Sequence, residues 1–229
     1  MSLIALRNIT KIYPSGNQNI AAVQELNLFI KAGEFSVLAG PSGSGKTTVL
    51  NIIGALDRAT EGAIAVDGNN YNEMKPKELA DFRLRRIGFI FQSYNLIPVL
   101  TAAENAEFTL MLQGVAPDAR RERIKTLFAE LGIDGLEDRR PNDLSGGQQQ
   151  RVAVARAIAA EPAVVLADEP TANLDSHTAE DLLNLMRELN REKGTTFLFS
   201  SHDPMVIAHA ERVIRLRDGR LEDDIRQDE

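Results

Sequence analysis

The sequence contains no cysteine and no tryptophan among its 229 residues. Without cysteine the chain can form neither a disulfide nor a cysteine-ligated zinc site, which fits a reducing compartment such as the cytoplasm. No segment approaches the run of about 18 apolar residues that a membrane-spanning helix needs, and the first residues lack the apolar stretch of a signal peptide. We therefore expect no membrane span, so that any membrane role must come through a partner.

Basic residues are also fewer than acidic ones. The chain has 26 lysines and arginines against 33 aspartates and glutamates, a formal net charge of −7. This balance argues against a surface that coats nucleic acid, and we expect no nucleic-acid partner. Hydrophobic residues make up 43% of the chain, which is enough for the core of one large domain or of one domain with a small inserted subdomain.

A glycine-rich sequence at 40–47 reads Gly-Pro-Ser-Gly-Ser-Gly-Lys-Thr, between the apolar run 35–39 and the helix-forming residues 46–50. A turn between a strand and a helix points backbone N–H groups into one concave space at the positive end of the helix dipole, where a polyphosphate binds. Lys46 is expected to reach the β- and γ-phosphates and Thr47 to bind Mg²⁺. The motif predicts a nucleoside triphosphate site that consists of Gly40, Pro41, Ser42, Gly43, Ser44, Gly45, Lys46, Thr47 and Thr48.

Apolar segments and turn residues also predict the organisation of the chain. Short β segments occupy residues 3–38, and later strands at 163–167, 195–199 and 212–216 alternate with helices at 177–193 and 204–210, which implies a mainly parallel sheet. Residues 98–160 are predicted to form an inserted helical subdomain, with capping signals at Thr101 and Asp118. Residues 223–229 are expected to be a solvated tail.

Two acids, Asp168 and Glu169, follow the apolar run 163–167. Ligands of open parallel sheets bind at the carboxyl ends of the strands, so we expect Asp168 to hold Mg²⁺ opposite Thr47 and Glu169 to activate the attacking water. A solvated acidic pair at a strand end is the alternative.

A second glycine-rich sequence, Leu-Ser-Gly-Gly-Gln at 144–148, precedes another predicted helix. Glycines before a helix form an anion site, although an ordinary helix N-cap is the alternative. One triphosphate does not need two such loops. Two half-sites in one chain therefore suggest two chains that face each other, each supplying the loop that its partner lacks.

These motifs, together with residues 13–16, 51–58, 87–96, 144–156 and 168–176, resemble the ATP-binding subunit of ABC transporters over essentially the full length of the chain. Within that family the chain is similar to the lipoprotein-releasing, macrolide-export and cell-division ATPases. The resemblance implies an α/β fold: a P-loop NTPase core with a mainly parallel sheet, an N-terminal antiparallel β subdomain and an inserted α-helical subdomain. The implied single domain, 1–229, is divided into 1–97 and 161–229 for the core with its β subdomain and 98–160 for the helical subdomain.

The resemblance also implies the cofactors, ATP and Mg²⁺, and further site residues. Tyr13 would stack on adenine, with packing on the core as the alternative, and His202 would contact the γ-phosphate. Gln92 would join Thr47 and Asp168 at the metal and link the site to the helical subdomain. Asp175 would communicate across the dimer, or cap a helix, or both. The loop that closes on the nucleotide of the second copy comprises Ser145, Gly146, Gly147 and Gln148. In these terms the catalytic residues are Lys46, Gln92, Glu169 and His202.

The implied partners are a second copy of the chain and an integral membrane permease, which would place the protein at the cytoplasmic face of the cell membrane. The permease would dock near 92–100 and the helix 101–113. Three alternatives are considered: a non-transport ABC ATPase that acts on DNA or ribosomes, a P-loop kinase with a small-molecule acceptor, and a regulatory ABC ATPase of the division-associated type.

Overall fold

The computed structural model describes residues 2–16 and 18–227. Its regular elements form two β-sheets with helices packed around them. The strands are β1 (Ser2–Ser15), β2 (Gln18–Lys31), β3 (Phe35–Ala39), β4 (Glu61–Val66), β5 (Asn69–Asn70), β6 (Ile87–Ile90), β7 (Val164–Asp168), β8 (Thr196–Ser201), β9 (Arg212–Arg217) and β10 (Arg220–Arg226). The α-helices are α1 (Lys46–Ile53), α2 (Pro76–Arg86), α3 (Ala102–Leu112), α4 (Pro117–Glu130), α5 (Gly146–Ile158), α6 (Ser176–Lys193) and α7 (Pro204–His209).

The larger sheet has the strand order β10-β9-β3-β8-β7-β6. Strands β9, β3, β8, β7 and β6 run parallel, and β10 joins the edge antiparallel to β9. Every residue of β3 and β8 is buried, including the polar Ser36, Thr196, Ser200 and Ser201, because packed elements cover both faces of the sheet. The parallel arrangement brings the ends of β3, β7 and β8 to one edge.

The smaller sheet is antiparallel, in the order β2-β1-β4-β5. In the second half of β2 the residues Leu26, Leu28 and Ile30 are buried while their neighbours are exposed, as expected for a sheet with one face on the core. The two sheets confirm the predicted α/β class with its N-terminal antiparallel part.

Helices α3, α4 and α5 form the segment predicted to be helical. The predicted cap at Thr101 is present: its hydroxyl accepts a hydrogen bond from the Glu104 N–H, and the Glu104 carboxylate accepts one from the Thr101 N–H. Buried side chains of these helices and of β3, β7 and β8 belong to one continuous hydrophobic cluster. The boundary of the helical subdomain therefore stays a prediction.

Two expectations were wrong and one helix was not anticipated. Residues 223–226 belong to β10 rather than to a solvated tail, because they pair with β9 in an antiparallel hairpin and because Asp224 and Arg226 form ion pairs with Arg212 and Glu34. Residues 228 and 229 lie outside the described part of the chain. Asp118 does not cap α4, which begins at Pro117 after Ala116. Helix α2 was missed because its buried side chains, Leu79 and Phe82, are too few to give a clear helical period.

Among the described residues, no helix combines the length and the apolar character that crossing a bilayer requires.

Candidate active site

The glycine-rich loop lies between the end of β3 and the start of α1, as predicted. Gly40 and Gly45 have φ angles of 154° and 100°. A Cβ atom at Gly40 would lie 2.2 Å from the Leu216 carbonyl oxygen, and one at Gly45 would lie 2.4 Å from the Ala22 carbonyl oxygen. Since both neighbours are backbone atoms that cannot move aside, the shape of this loop requires glycine at these two positions.

Two buried polar groups line the loop. Lys46 is 7% exposed, and its ammonium donates hydrogen bonds to the carbonyl oxygens of Gly40 at 2.8 Å and Pro41 at 3.0 Å. The Ser44 hydroxyl is buried and finds no hydrogen-bond partner in the described part of the chain. A buried hydroxyl without a partner costs free energy, and an anionic oxygen in the loop would satisfy it. The loop is therefore suited to an anion.

Thr47 and Asp168, which are far apart in sequence, are in contact at the carboxyl ends of the parallel strands. The Thr47 hydroxyl lies 3.1 Å from Asp168 Oδ1, and the buried Ser200 hydroxyl also donates to that oxygen. The register between β7 and β8, in which Asp168 lies opposite Ser200, creates the second contact. A hydroxyl and a carboxylate in contact are the oxygen donors that Mg²⁺ prefers.

Glu169 occupies the left-handed region with a φ of 46°, which is a strained conformation for a residue with a side chain. Its carboxylate accepts a hydrogen bond from the Ser201 hydroxyl at 3.1 Å, and its other oxygen lies 2.8 Å from His202 Nδ1. The Glu169 side chain is 16% exposed, whereas that of His202 is 69% exposed. Because a carboxylate can only accept, Nδ1 carries the proton of this contact.

Gln92 follows β6 in an exposed loop, and its backbone carbonyl accepts a hydrogen bond from Asn173 Nδ2 at 2.8 Å. Within residues 2–16 and 18–227, no hydrogen bond joins the Gln92 side chain to Thr47 or Asp168. The role of Gln92 as a metal ligand therefore stays a prediction.

The 144–148 loop begins α5. Ser145 is the N-cap, and its side chain and that of Gln148 form a capping box. The alternative interpretation of this sequence as a helix cap is therefore confirmed within one chain. Asp175 is likewise the N-cap of α6 and accepts hydrogen bonds from the backbone N–H and the hydroxyl of Thr178, which lower the pKa of Asp175. Hydrogen bonds between the 144–148 and 40–48 loops are absent from the described residues.

Tyr13 lies on β1 and is 36% exposed. Its hydroxyl donates a hydrogen bond to Asp57 at 2.6 Å, and the Lys11 ammonium lies 4.7 Å from the ring centroid. Burial and the Asp57 contact raise the pKa of Tyr13. Burial opposes ionisation of Asp57, but hydrogen bonds from Lys11 and Tyr13 outweigh it and lower the pKa of Asp57. The Tyr13 ring is thus held in place by Asp57 and Lys11.

Several residues that touch the site were not predicted from sequence. Ser200 and Ser201 hold the two acids, and Asn173 contacts the Gln92 loop. Ser200 and Ser201 stand directly before His202 at the end of a strand, and this position was the sequence signal that could have placed them in the site. No local signal pointed to Asn173.

Comparison with known proteins gives relatives along the whole chain. The sequence profile of the family described as ABC transporter matches residues 23–172. The uncharacterized ABC transporter ATP-binding protein MJ0796 of Methanocaldococcus jannaschii is 47% identical, with 96% of this chain and 95% of that protein covered. The macrolide export ATP-binding/permease protein MacB of Hyphomonas neptunium is 46% identical; the match covers 96% of this chain and 34% of that protein.

The fold is similar to solved structures as well. A dimeric structure of a post-hydrolysis state of the ATP-binding cassette MJ0796, bound to ADP and Pi, has a TM-score of 0.91 at 43% identity. A second dimeric structure of MJ0796, described as a bacterial ABC transporter cassette, has a TM-score of 0.91 at 44% identity. Each match covers 99% of both chains.

Proposed function

The chain belongs to the ATP-binding proteins of ABC transporters, and we propose that two copies of it bind Mg²⁺-ATP between the 40–48 loop of one and the 144–148 loop of the other. As an ABC ATPase the chain binds and hydrolyses ATP. Its family membership favours transport over the kinase and the DNA- or ribosome-directed alternatives.

The contact between Thr47 and Asp168 is the observation on which the site assignment depends. These oxygens, 3.1 Å apart at the mouth of the glycine-rich loop, would hold Mg²⁺, with Gln92 as a further ligand. Mg²⁺ in that position would neutralise charge on the β- and γ-phosphate oxygens. Lys46 and the loop N–H groups would bind the same phosphates, and Tyr13 would stack on the adenine.

Glu169 is the proposed general base. Its carboxylate would accept the proton of the attacking water, and the bonds from Ser201 and His202 would keep it oriented toward that water. His202 Nε2, on the far side of a ring whose Nδ1 faces Glu169, would donate to the γ-phosphate when the ring is protonated. The strained backbone of Glu169 fits a catalytic position, because strain persists where the surrounding structure enforces it.

The second copy supplies what one chain lacks. Ser145, Gly146, Gly147 and Gln148 open α5, so that their N–H groups would face the γ-phosphate of the partner's nucleotide. Asp175, at the start of α6, would lie beside that contact. The dimeric structures of the MJ0796 cassette, one of them bound to ADP and Pi, support the assembly of two copies.

A membrane permease is the proposed partner that ATP-driven closure moves. Support comes from the MacB relatives, which are named ATP-binding/permease proteins and match this chain over about a third of their length. Val99 is 74% exposed, and Met111 and Leu112 are about half exposed, on the surface around 92–100 and α3 that was predicted to dock. The proposed location is accordingly the cytoplasmic face of the membrane, and the proposed role is export of the lipoprotein, macrolide or peptide type.

The proposal is tested with Glu169→Gln, which keeps the shape of the side chain but removes the base. We expect ATP affinity to remain, turnover to fall by about 10²–10⁴-fold, and an ATP-bound dimer to accumulate. Turnover is measured by phosphate release, and dimerisation by size-exclusion chromatography with light scattering. Glu188→Gln, an exposed position on α6, is the matched control and should behave as the wild type. Undiminished turnover in Glu169→Gln would refute the assignment.

A further inference from the structure

The loop after Gln92 holds two consecutive residues in the left-handed region. Tyr94 has a φ of 59° and Asn95 a φ of 50°. Asparagine adopts this conformation readily, but a tyrosine does so at a cost. Such a backbone persists only where neighbouring groups hold it in place. The structure contains those groups, and they come from two other parts of the predicted site.

The first of them is Arg156, on α5. Its guanidinium donates one hydrogen bond to the Asn95 carbonyl oxygen at 2.5 Å and another to the Tyr94 carbonyl oxygen at 2.8 Å. The arginine thus binds the two strained peptide units together, with the planar fork that this side chain alone provides. Arg156 lies on the same helix that begins with the 144–148 loop, about two turns after the end of that loop.

The second group is Asn173, in the loop before α6. Its side-chain amide donates to the Gln92 carbonyl oxygen at 2.8 Å, and its own carbonyl oxygen lies 3.5 Å from the Tyr94 hydroxyl. That hydroxyl also packs on the start of α5, because a Cβ atom at Gly146 would lie 2.9 Å from it. The Gln92 loop is therefore held between the glycine-rich start of α5 and the loop that leads to Asp175.

We propose that Tyr94, Arg156 and Asn173 are positioning residues that hold Gln92 at a fixed place relative to the 144–148 loop. We refer to these three residues as the clamp. The inference rests on the proposed function, in which Gln92 serves the nucleotide of its own chain and the 144–148 loop serves the nucleotide of the partner. The clamp joins the two loops rigidly, so that a movement of Gln92 at one nucleotide moves the loop at the other. It therefore transmits the state of one ATP site to the second.

The clamp is tested with Arg156→Met, which keeps an unbranched apolar stem and removes both hydrogen bonds. ATP affinity should stay within about twofold, because the 40–48 loop and Tyr13 are untouched, while kcat falls about tenfold or more. The Hill coefficient for ATP should fall toward one, and amide hydrogen exchange in residues 92–97 should become faster.

Arg151→Met is the matched control. Arg151 lies on the same helix and donates one hydrogen bond to the Leu131 carbonyl oxygen at 2.7 Å, away from the Gln92 loop. Its loss should lower the unfolding midpoint but leave kcat and the Hill coefficient within about twofold of the wild type. Arg156→Lys, which can reach one carbonyl, should recover part of the activity. A purely structural role would lower kcat equally in the Arg151 and Arg156 variants, and that result would overturn the inference.

Asn173→Ala gives a second route, since this exposed position tolerates truncation even if Arg156→Met does not fold. It should lower the Hill coefficient and speed hydrogen exchange at 92–97 without changing ATP affinity. Wild-type kinetics in Asn173→Ala would overturn the clamp. If the wild type hydrolyses ATP and Glu169→Gln does not, such a failure concerns the clamp alone; if the wild type does not hydrolyse Mg²⁺-ATP, the proposed function itself fails.

Discussion

Gly147 lies in the first turn of α5, where the methyl carbon of Thr178 occupies the space that a side chain would need. A Cβ atom there would lie 2.5 Å from Thr178 Cγ2, and the next neighbour, Thr178 Cβ, is 3.9 Å away. The Thr178 hydroxyl donates a 2.7 Å hydrogen bond to Asp175, so the side chain cannot rotate away without losing that bond. Gly147→Ala should therefore disturb the contact between α5 and α6.

The size of the effect follows from two opposing contributions. Forcing a methyl group into a packed contact costs about 1–3 kcal/mol of unfolding free energy, whereas alanine in place of glycine in a helix gains up to about 1 kcal/mol. We expect Gly147→Ala to lower the unfolding free energy by about 0.5–2 kcal/mol. Thr178→Ser removes Cγ2 and keeps the hydroxyl, so in that background the same change should be neutral or stabilising.

The assay is a double-mutant cycle by urea unfolding of the four proteins without nucleotide, so that any role of the loop in ATP binding does not enter. The expected coupling between positions 147 and 178 is about 1–2 kcal/mol. An equal cost of Gly147→Ala in both backgrounds would refute the argument that this single methyl contact decides the result.

Two further changes test the remaining contacts. Thr101→Ala removes the capping box of α3 and should lower the free energy of unfolding by about 1 kcal/mol, or roughly 2–4 °C in melting temperature. Thr126→Ala loses only a hydrogen bond to a carbonyl of its own helix and should have little effect. Equal shifts in melting temperature for the two variants would contradict the capping argument. Tyr13→Phe keeps the ring but loses the bond to Asp57, so KM for ATP should rise a few-fold at unchanged kcat, while Tyr13→Ala should raise it about tenfold. Identical KM values for both variants and the wild type would exclude Tyr13 from the adenine site.

Features written in short stretches of sequence were predictable. The loop 40–47 follows its strand and opens its helix as expected, and the Thr101 cap and the Asp175 cap lie where the side chains allow them. The apolar runs at 35–39 and 163–167 correspond to the parallel strands β3 and β7, the second shifted by one residue, and the apolar residues of both strands are buried. These features depend on interactions between residues a few positions apart, which periodicity and capping rules describe.

Features that depend on pairing across the fold were not predictable. The edge strand β10 was missed for another reason: every one of its side chains is exposed, so it shows no alternation, although the Asp218-Gly219 turn that joins it to β9 in a hairpin was an available local signal. The hydrogen bond of Ser200 to Asp168 requires the register between β7 and β8.

The sequence by itself determined the chemistry of this protein: a phosphate-binding loop, two acids after a strand, and a second glycine-rich loop. The tertiary structure decided which of these groups meet. It places Thr47 against Asp168 and His202 against Glu169, and Asn173 and Arg156 bind the backbone of the Gln92 loop from elements far along the chain. Residue types and local spacing fix what a group can do, whereas the distance between two groups is set by strand order, register and helix packing.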